Sequence, residues 1–524
     1  MSFFHAFYFV SYMGTTIGFG EIPYAFTDAQ RLWAIVGIYA TVITWLYSIG
    51  ATLSAFQDAS FQSLLKENAF RRAVNRITEP FFLVCGYGDT GSLLIRALSA
   101  SGYRAIVIDK SQDRITALEL EDLGFPVPGL CADAADPDNL VLAGLSRANC
   151  RGAIALTDID DVNLKITITS KLLNPAIPAI ARAESREIEV NMASFGTDEI
   201  INPFDTFAGR LAMSLRAPGL FLLFEWMTAV PHQQLREPVF PPHGRWVLCG
   251  YGRFGKAVHQ RLLSEDIELT FIEAMPQKTD SPAGTITGRG TEADTLLEAD
   301  IKNAVGIIAG TDNDANNLSI IMTARMLNPA LFVVARQNYH QNDSIFAAAN
   351  LDLSMQRGSV IANKIFALIT TPLLSEFLQL ALMNSNDWAN QLVSRIGGIA
   401  GAEVPRTWTL NIDPQNSPAL HSGIESGMHV CIGDIYRDPR SRDERLACVA
   451  LLIMRGRDEY LLPEDDFALQ SGDRILFCGR LRASVQMEWI AKNFNIFDYI
   501  LTGTERTSGT LWRWLEKKYN NFSR

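Results

Sequence analysis

Two glycine-spaced turns carry the most legible chemistry in this chain. The first is Gly86-Tyr87-Gly88-Asp89-Thr90-Gly91, and the second is Gly250-Tyr251-Gly252-Arg253-Phe254-Gly255. Each follows a short apolar run, FFLVC or WVLC, and opens a longer amphipathic one. That pattern reads as strand, turn, helix. Glycines at this spacing permit a tight turn and let a phosphate reach the helix N-terminus, where free amides and the dipole favour an anion. An acid closes the next strand in both copies, Asp109 in the first and Glu273 in the second. A carboxylate there accepts hydrogen bonds from ribose hydroxyls and repels a 2′-phosphate, which disfavours NADP. Asp133, in the Cys-Ala-Asp-Ala after the third strand, either reaches an adenine or ribose edge or caps a helix. The candidate cofactor residues are therefore Gly86, Tyr87, Gly88, Asp89, Thr90, Gly91, Asp109 and Asp133, then Gly250, Gly252, Arg253, Phe254, Gly255 and Glu273. The competing reading is a turn that has kept its shape and lost its ligand. Arg253 and Phe254, which fill the second turn, strengthen it there.

The elements that would hold these turns come twice. From Pro80 onward, short apolar strands alternate with amphipathic helices, the pattern of an α/β fold with a parallel sheet. Later landmarks repeat at a constant offset: Thr157-Asp158 with Thr311-Asp312, Asn163-Leu164 with Asn317-Leu318, and Ala181-Arg182 with Ala335-Arg336. The half is duplicated. Arg182 and Arg336 end strand-like runs and suit a phosphate, a partner subunit or a salt bridge. Asp158, Asp160 and Asp161, like Asp312 and Asp314, form acidic clusters. Calcium is one candidate for them, but no EF-hand spacing is present, and loop or N-cap roles fit better. Ile361 to Met383 is apolar but broken by Pro372 and carries Lys364 and Glu376, so it reads as crossover and interface helices. Leu211 to Met227 holds the equivalent place after the first copy.

The N-terminal part is of another kind. Leu32 to Gln57 holds no charged residue, which exceeds the roughly 20 apolar residues one bilayer crossing needs. Lys66, Arg71, Arg72 and Arg76 follow it, and a basic flank marks the cytoplasmic side. Before it, an apolar and aromatic stretch leads into Thr15-Thr16-Ile17-Gly18-Phe19-Gly20-Glu21. This string resembles the selectivity filter of potassium channels, whose core is Thr-x-Gly-Tyr/Phe-Gly followed by an acid. The resemblance implies that carbonyls along Thr16, Ile17, Gly18, Phe19 and Gly20 replace the water shell of potassium ions where four copies meet on an axis. Gly18 and Gly20 permit the backbone that points successive carbonyls inward.

The order of filter, inner helix and two GxGxxG domains resembles channels with tandem RCK domains, the regulators of potassium conductance, over nearly the whole chain. The implied fold is a membrane pore loop plus transmembrane helix, then two Rossmann-like, doubly wound parallel-sheet domains and a small β-rich C-terminal subdomain. Boundaries are expected at 1–57 for pore helix, filter and inner helix, 58–79 for a linker, and 80–236 and 244–400 for the RCK domains. The β-rich part is expected at 401–482, from strands such as TWTLNI, HVCIGDIY, ACVALLIM and DRILFCG, with a tail at 483–524. The family also places an outer membrane helix before the pore helix, so a segment upstream of Met1 is expected. Its hinge glycine would fall at Ala40 or Thr41, with Gly37 and Gly50 nearest.

The resemblance further implies a homotetramer with eight RCK domains in one cytoplasmic ring, set in the cell membrane. Its ligand would be an adenine nucleotide, NAD or NADH first and ATP, ADP or AMP next, with potassium in the filter and calcium a further candidate. Composition excludes other classes. A net charge of −11 over 524 residues and the lack of a basic run argue against nucleic acid. Seven cysteines without CxxC or a Cys/His cluster indicate a reducing compartment, with neither disulfides nor a zinc site. Cys85 and Cys249 read as inert core residues. No His, Cys or Lys stands in a motif for hydride chemistry, so no catalytic residue is assigned and an enzyme is not expected. Two other functions stay open: a regulatory NAD-binding subunit of a separate cation transporter, and a membrane-anchored NAD-dependent dehydrogenase.

Overall fold

The computed structural model describes residues 3–15, 25–229, 239–265, 267–401 and 403–504. The chain divides into two compact units, Met1–Thr78 and Glu79–Arg524. The filter residues Thr16 to Gly20 lie outside the described residues.

The first unit is helical: α1 (Phe3–Gly14), α2 (Asp28–Gln57) and α3 (Ala59–Arg76). Asp28–Ser54 has a mean hydropathy of 1.7, and none of its apolar window is covered by protein. A helix buried in the core of this chain would be covered, and this one is not. At 1.5 Å per residue those 27 residues span about 40 Å, enough for a bilayer core by length and composition. Hydroxyls within it turn back on their own helix: Thr41, Thr44, Ser48 and Thr52 each donate to the carbonyl four residues earlier at 2.7 Å. That satisfies polar groups where water is absent. Small residues let α1 approach α2. Gly14 faces Thr41, and a Cβ on Gly37 would sit 3.1 Å from Met13 Cε. Gly37 is thus a packing position in an unbroken helix. The expected linker is mostly the helix α3.

In the second unit the two halves repeat one topology. Strands β1 (Phe81–Cys85), β2 (Arg104–Asp109), β3 (Gly129–Cys131), β4 (Cys150–Ala155), β5 (Ala179–Arg182) and β6 (Glu199–Ile201) form a parallel sheet in the order β3-β2-β1-β4-β5-β6. The second sheet holds β7 (Arg245–Cys249), β8 (Glu268–Glu273), β9 (Ile286–Thr287), β10 (Gly306–Ala309), β11 (Phe332–Gln337) and β12 (Leu353–Gln356). Its order, β9-β8-β7-β10-β11-β12, is the same. Both are doubly wound sheets whose order reverses beside the first strand, the crevice where such folds bind ligands. Matching polar latches fix the halves. Buried Asn163 bonds the N–H and C=O of Thr157 and the carbonyl of Arg182, and buried Asn317 does the same with Thr311 and Arg336.

The main helices of this unit are α4 (Asp89–Ala100), α5 (Pro203–Arg216), α6 (Pro218–Thr228), α7 (Arg253–Leu262), α8 (Arg357–Thr370), α9 (Pro372–Leu382) and α10 (Asn386–Ala400). The halves exchange helices. α5 follows the first sheet, yet Phe204, Phe207, Ala208 and Leu211 share a core with Trp246, Phe254 and Val258 of the second half. α8 follows the second sheet, yet Ile361, Ala362, Ile365 and Phe366 share a core with Leu94, Ile95 and Leu98 of the first. Each crossover turns at a residue held out of the helical conformation before proline, Ala217 or Thr371, and Pro218 or Pro372 then opens the next helix. α8 and α9 bend by 112° there. The boundaries expected at 236 and 400 follow the chain, whereas the packed halves are interlocked.

The C-terminal part is an antiparallel sheet of β13 (Arg406–Asn411), β14 (Cys448–Arg455), β15 (Asp458–Leu461) and β16 (Arg474–Gly479), in the order β13-β16-β14-β15. α11 (Leu481–Lys492) and α12 (Phe494–Thr502) cover one face through Met487, Ile490, Phe497 and Ile500. α6, α9 and α10 cover the other. Two expectations need correction. The boundary at 482 is too early, because residues to Thr502 belong to this subdomain. HVCIGDIY is no strand: Asp434 accepts the Cys431 N–H at 3.0 Å and starts a short helix, Ile432–Ile435. Its apolar alternation imitates a strand, but the cap decides.

Candidate nucleotide-binding sites

The first turn leaves β1 and enters α4. Gly86 has φ of +107°, and a Cβ there would lie 2.8 Å from the Leu156 backbone. A Cβ on Gly91 would lie 2.0 Å from the Gly86 carbonyl oxygen. The second turn repeats this, with Gly250 at φ +94° and a Gly255 Cβ 2.1 Å from the Gly250 oxygen. Both turns demand glycine for close backbone packing. Gly88 and Gly252 stand at the N-caps of α4 and α7 with no side chain capping the helix, so first-turn amides remain for an anion.

The two acids brace the turns. Buried Asp109 accepts the Tyr87 N–H at 2.6 Å and the Ser111 N–H at 2.8 Å. Buried Glu273 accepts the Tyr251 N–H at 2.6 Å and the Met275 N–H at 2.9 Å. A carboxylate has about four acceptor positions, so each keeps room for ribose hydroxyls. Several candidates do not face a ligand with their side chains. Tyr87 is buried and its hydroxyl donates to Glu121. Thr90 is buried, and Phe254 is fully buried against Phe204 and Phe207. These three offer only backbone. Asp133 is half-exposed, beside Lys110 at 3.4 Å. The Ala135 N–H holds its carboxyl below the ordinary range. Asp133 caps its own loop.

Arg114 was not among the sequence candidates. Its guanidinium lies 3.4 Å from Asp109 Oδ2, 3.5 Å from Asp158 and beside Gly88. The signal was an arginine five residues past Asp109. It puts a positive charge beside Asp109, at the end of β2. From it a line of alternating charges runs on. Asp158 meets Arg182 at 3.2 Å, Arg182 pairs with Glu184, and Glu184 meets Arg253 at 2.9 Å. Arg182 is therefore buried in ion pairs and not available to a phosphate. Arg336 lies over the Phe204 ring at 4.9 Å. The line joins Asp109 to Arg253, the first helical residue of the second turn. Reciprocally, Asp89 in the first turn accepts the His340 N–H of the second half at 3.2 Å.

The acidic clusters serve the loops. Asp160 accepts the N–H groups of Glu184 and Ser185 at 3.0 and 2.8 Å, and Asp314 accepts those of Asn338 and Tyr339 at 2.7 and 3.2 Å. Among the described residues no group of three or more His, Cys, Asp or Glu could hold a metal ion. The seven cysteines are all free thiols. Burial pushes the thiol of Cys249 up to about 12, and that of Cys85 also upward, so neither is reactive.

Two doubly wound sheets, each with a glycine turn and an acid closing its second strand, define tandem Rossmann-type domains. The TrkA-N domain family matches both, over residues 82–203 and 246–355. Potassium channel protein 1 of Methanocaldococcus jannaschii is 28% identical over 206 residues, 38% of this chain and 59% of that protein. A Trk system potassium uptake protein TrkA homolog of Methanothermobacter thermautotrophicus is 30% identical over 140 residues, 26% of this chain and 64% of that protein. The chain thus spans less than two thirds of each relative. The solved GsuK channel bound to NAD aligns over 93% of this chain and 92% of its own, at 17% identity and a TM-score of 0.47.

Replacing either acid is expected to weaken nucleotide binding at its own turn. For Asp109→Ala the loss of a charge-assisted hydrogen bond costs about 1.5–3 kcal/mol, roughly tenfold to a hundredfold in affinity. Glu273→Ala should act likewise at the second turn. Calorimetry with NAD on the detergent-solubilised protein checks this. Unchanged affinity would leave both acids with a bracing role alone.

Proposed function

We propose that this chain is the conducting and gating part of a potassium-selective channel in the cell membrane, regulated by an adenine nucleotide on the cytoplasmic side. The observation that carries the reading is one chain joining an uncovered, membrane-length apolar helix to two interlocked TrkA-N domains. The filter string before that helix adds the conduction chemistry. The relative named as a potassium channel supports the assignment, and so does the basic flank after α2. NAD is the first candidate ligand, because Asp109 and Glu273 suit a ribose. The second reading, a regulator of a separate cation transporter, is favoured by the TrkA homolog among the relatives. Hydride chemistry has no motif to support it.

Each turn is touched by the opposite half, through Glu184 on Arg253 and His340 on Asp89. Nucleotide that recruits Arg253 or rearranges the first turn must therefore alter the contact between halves. A ligand shifts a conformational equilibrium only by binding one state better, and these contacts supply such a difference. Four filter loops are needed to ring one ion, so the assembly is a tetramer with eight RCK-type domains. Native mass in detergent should give four chains, and a different stoichiometry removes the ring.

A test of ligand regulation uses single-channel recording from the reconstituted protein while NAD is perfused on the side bearing the TrkA-N domains. Open probability should change with NAD. Potassium current that ignores NAD, ATP, ADP and AMP would leave a channel without the proposed regulation.

A further inference from the structure

An arginine-lined cleft lies on the C-terminal subdomain, away from both glycine turns. It encloses about 770 Å³ where the end of α10, the start of β13 and the start of α11 converge. Arg406, Arg440, Arg480 and Arg482 line it, and Glu403 is the one carboxylate residue among the lining residues. Val404, Pro405, Leu481 and Val485 add apolar wall.

These arginines differ from their neighbours in what they bind. Arg437, Arg445 and Arg455 of the same subdomain pair with Asp434, Asp465 and Asp473 at 3.2, 2.5 and 2.8 Å. Arg480 donates to the Ile399 carbonyl at 2.7 Å and so caps the end of α10. Arg406, Arg440 and Arg482 are exposed and have no carboxylate partner among the described residues. The ordinary account of exposed arginines is solvation one by one. Here three separate stretches of chain bring them to one concavity, in a protein whose net charge is −11. Like charges held together without a counter-ion repel, and an anion would relieve that. Guanidinium forks match phosphate oxygens two at a time. The volume falls within the roughly 300–1,000 Å³ of small-molecule sites.

Arg406 of the cleft also lies within electrostatic reach of Tyr103, the residue before β2. Burial pushes the Tyr103 phenol up, and the nearby Arg406 charge opposes that shift. Tyr103 lies at the start of β2, whereas the glycine turn lies at the opposite, carboxyl end of the sheet. The cleft lining holds no residue of either glycine turn.

We infer that this cleft binds a small anion carrying two or more phosphate groups, held by Arg406, Arg440 and Arg482. The test titrates the full-length protein in detergent with sodium tripolyphosphate at low ionic strength, by calorimetry, in the presence of saturating NAD. Binding is expected despite NAD. The double variant Arg440→Gln/Arg482→Gln should lose about a hundredfold or more in affinity, from two charge-assisted contacts. Its melting temperature should stay that of the wild type, since both side chains are exposed. Absence of tripolyphosphate binding in the wild type would overturn the inference and leave the arginines solvated or facing an acidic protein. Equal affinity in the double variant would also overturn it, as would displacement by NAD, which places the anion at the glycine turns. NAD binding is read separately in the same titrations, so a failure there stays distinct from a failure at the cleft.

Discussion

Gly91→Ala should abolish nucleotide binding at the first turn. The new methyl would lie 2.0 Å from the Gly86 carbonyl oxygen, a backbone atom that cannot swing aside. Relief requires Gly86 to move, and Gly86 is itself fixed by its N–H bond to Ile108 at 2.8 Å and by φ of +107°. Tyr87 would follow and lose its 2.6 Å bond to Asp109. The phosphate turn and the ribose acid therefore fail together, and affinity should fall by more than about a hundredfold, the loss of two charge-assisted contacts. Forced repacking of this kind costs about 1–3 kcal/mol of stability, so the melting temperature should drop as well. Gly255→Ala should do the same at the second turn, from a contact of 2.1 Å. Gly252→Ala makes an informative contrast. Nothing in the protein lies within 4 Å of that Cβ, so this variant should fold normally and obstruct only the ligand. Calorimetry beside thermal melting reads all three. A Gly91→Ala protein that binds NAD as the wild type does would show that the first turn is not the site.

The other large effect is expected in the membrane part. Gly18→Ala or Gly20→Ala should eliminate potassium-selective flux while the TrkA-N domains stay folded. The reasoning starts from the residue types. Carbonyls replace an ion's hydration shell only if successive residues take backbone conformations that alternate in hand, and alanine opposes these. Flux of rubidium and sodium into vesicles, beside NAD binding in the same preparation, separates loss of conduction from unfolding. Either variant retaining selectivity for potassium over sodium would remove the filter assignment from Thr16 to Gly20.

Much of the α/β fold was legible in the sequence because its determinants are local. Gly86, Gly91 and Asp109 stand at fixed spacing within one strand-turn-helix-strand unit, and the repeat at Gly250, Gly255 and Glu273 confirms the period. Helix exchange was not legible. The apolar face of Pro203–Arg216 says that the helix is buried, and nothing in it says against which sheet. Arg114, Glu184 and Arg253 come together from distant segments, so no motif announces them. Phe254 in the second turn looked like a ligand contact, whereas the exchanged helix that carries Phe204 and Phe207 takes it into the core. HVCIGDIY misled because two-residue alternation outweighed the Asp434 cap. The arginine cleft draws on positions 406, 440, 480 and 482, and only the folded subdomain brings those together.

Regulation needs little energy per site. A tenfold preference of nucleotide for one state is worth about 1.4 kcal/mol. Four equivalent sites would supply about 5.5 kcal/mol, which turns a 1:99 equilibrium into 99:1. The response to nucleotide should accordingly be steep. The most direct test is potassium flux from vesicles reconstituted with the purified protein, followed while NAD is titrated on the side that bears the TrkA-N domains. Potassium-selective flux that changes steeply over the concentrations at which NAD binds is the expected result. Vesicles that bind NAD and carry no potassium-selective flux at any concentration would contradict the channel assignment and favour a regulator of a separate transporter.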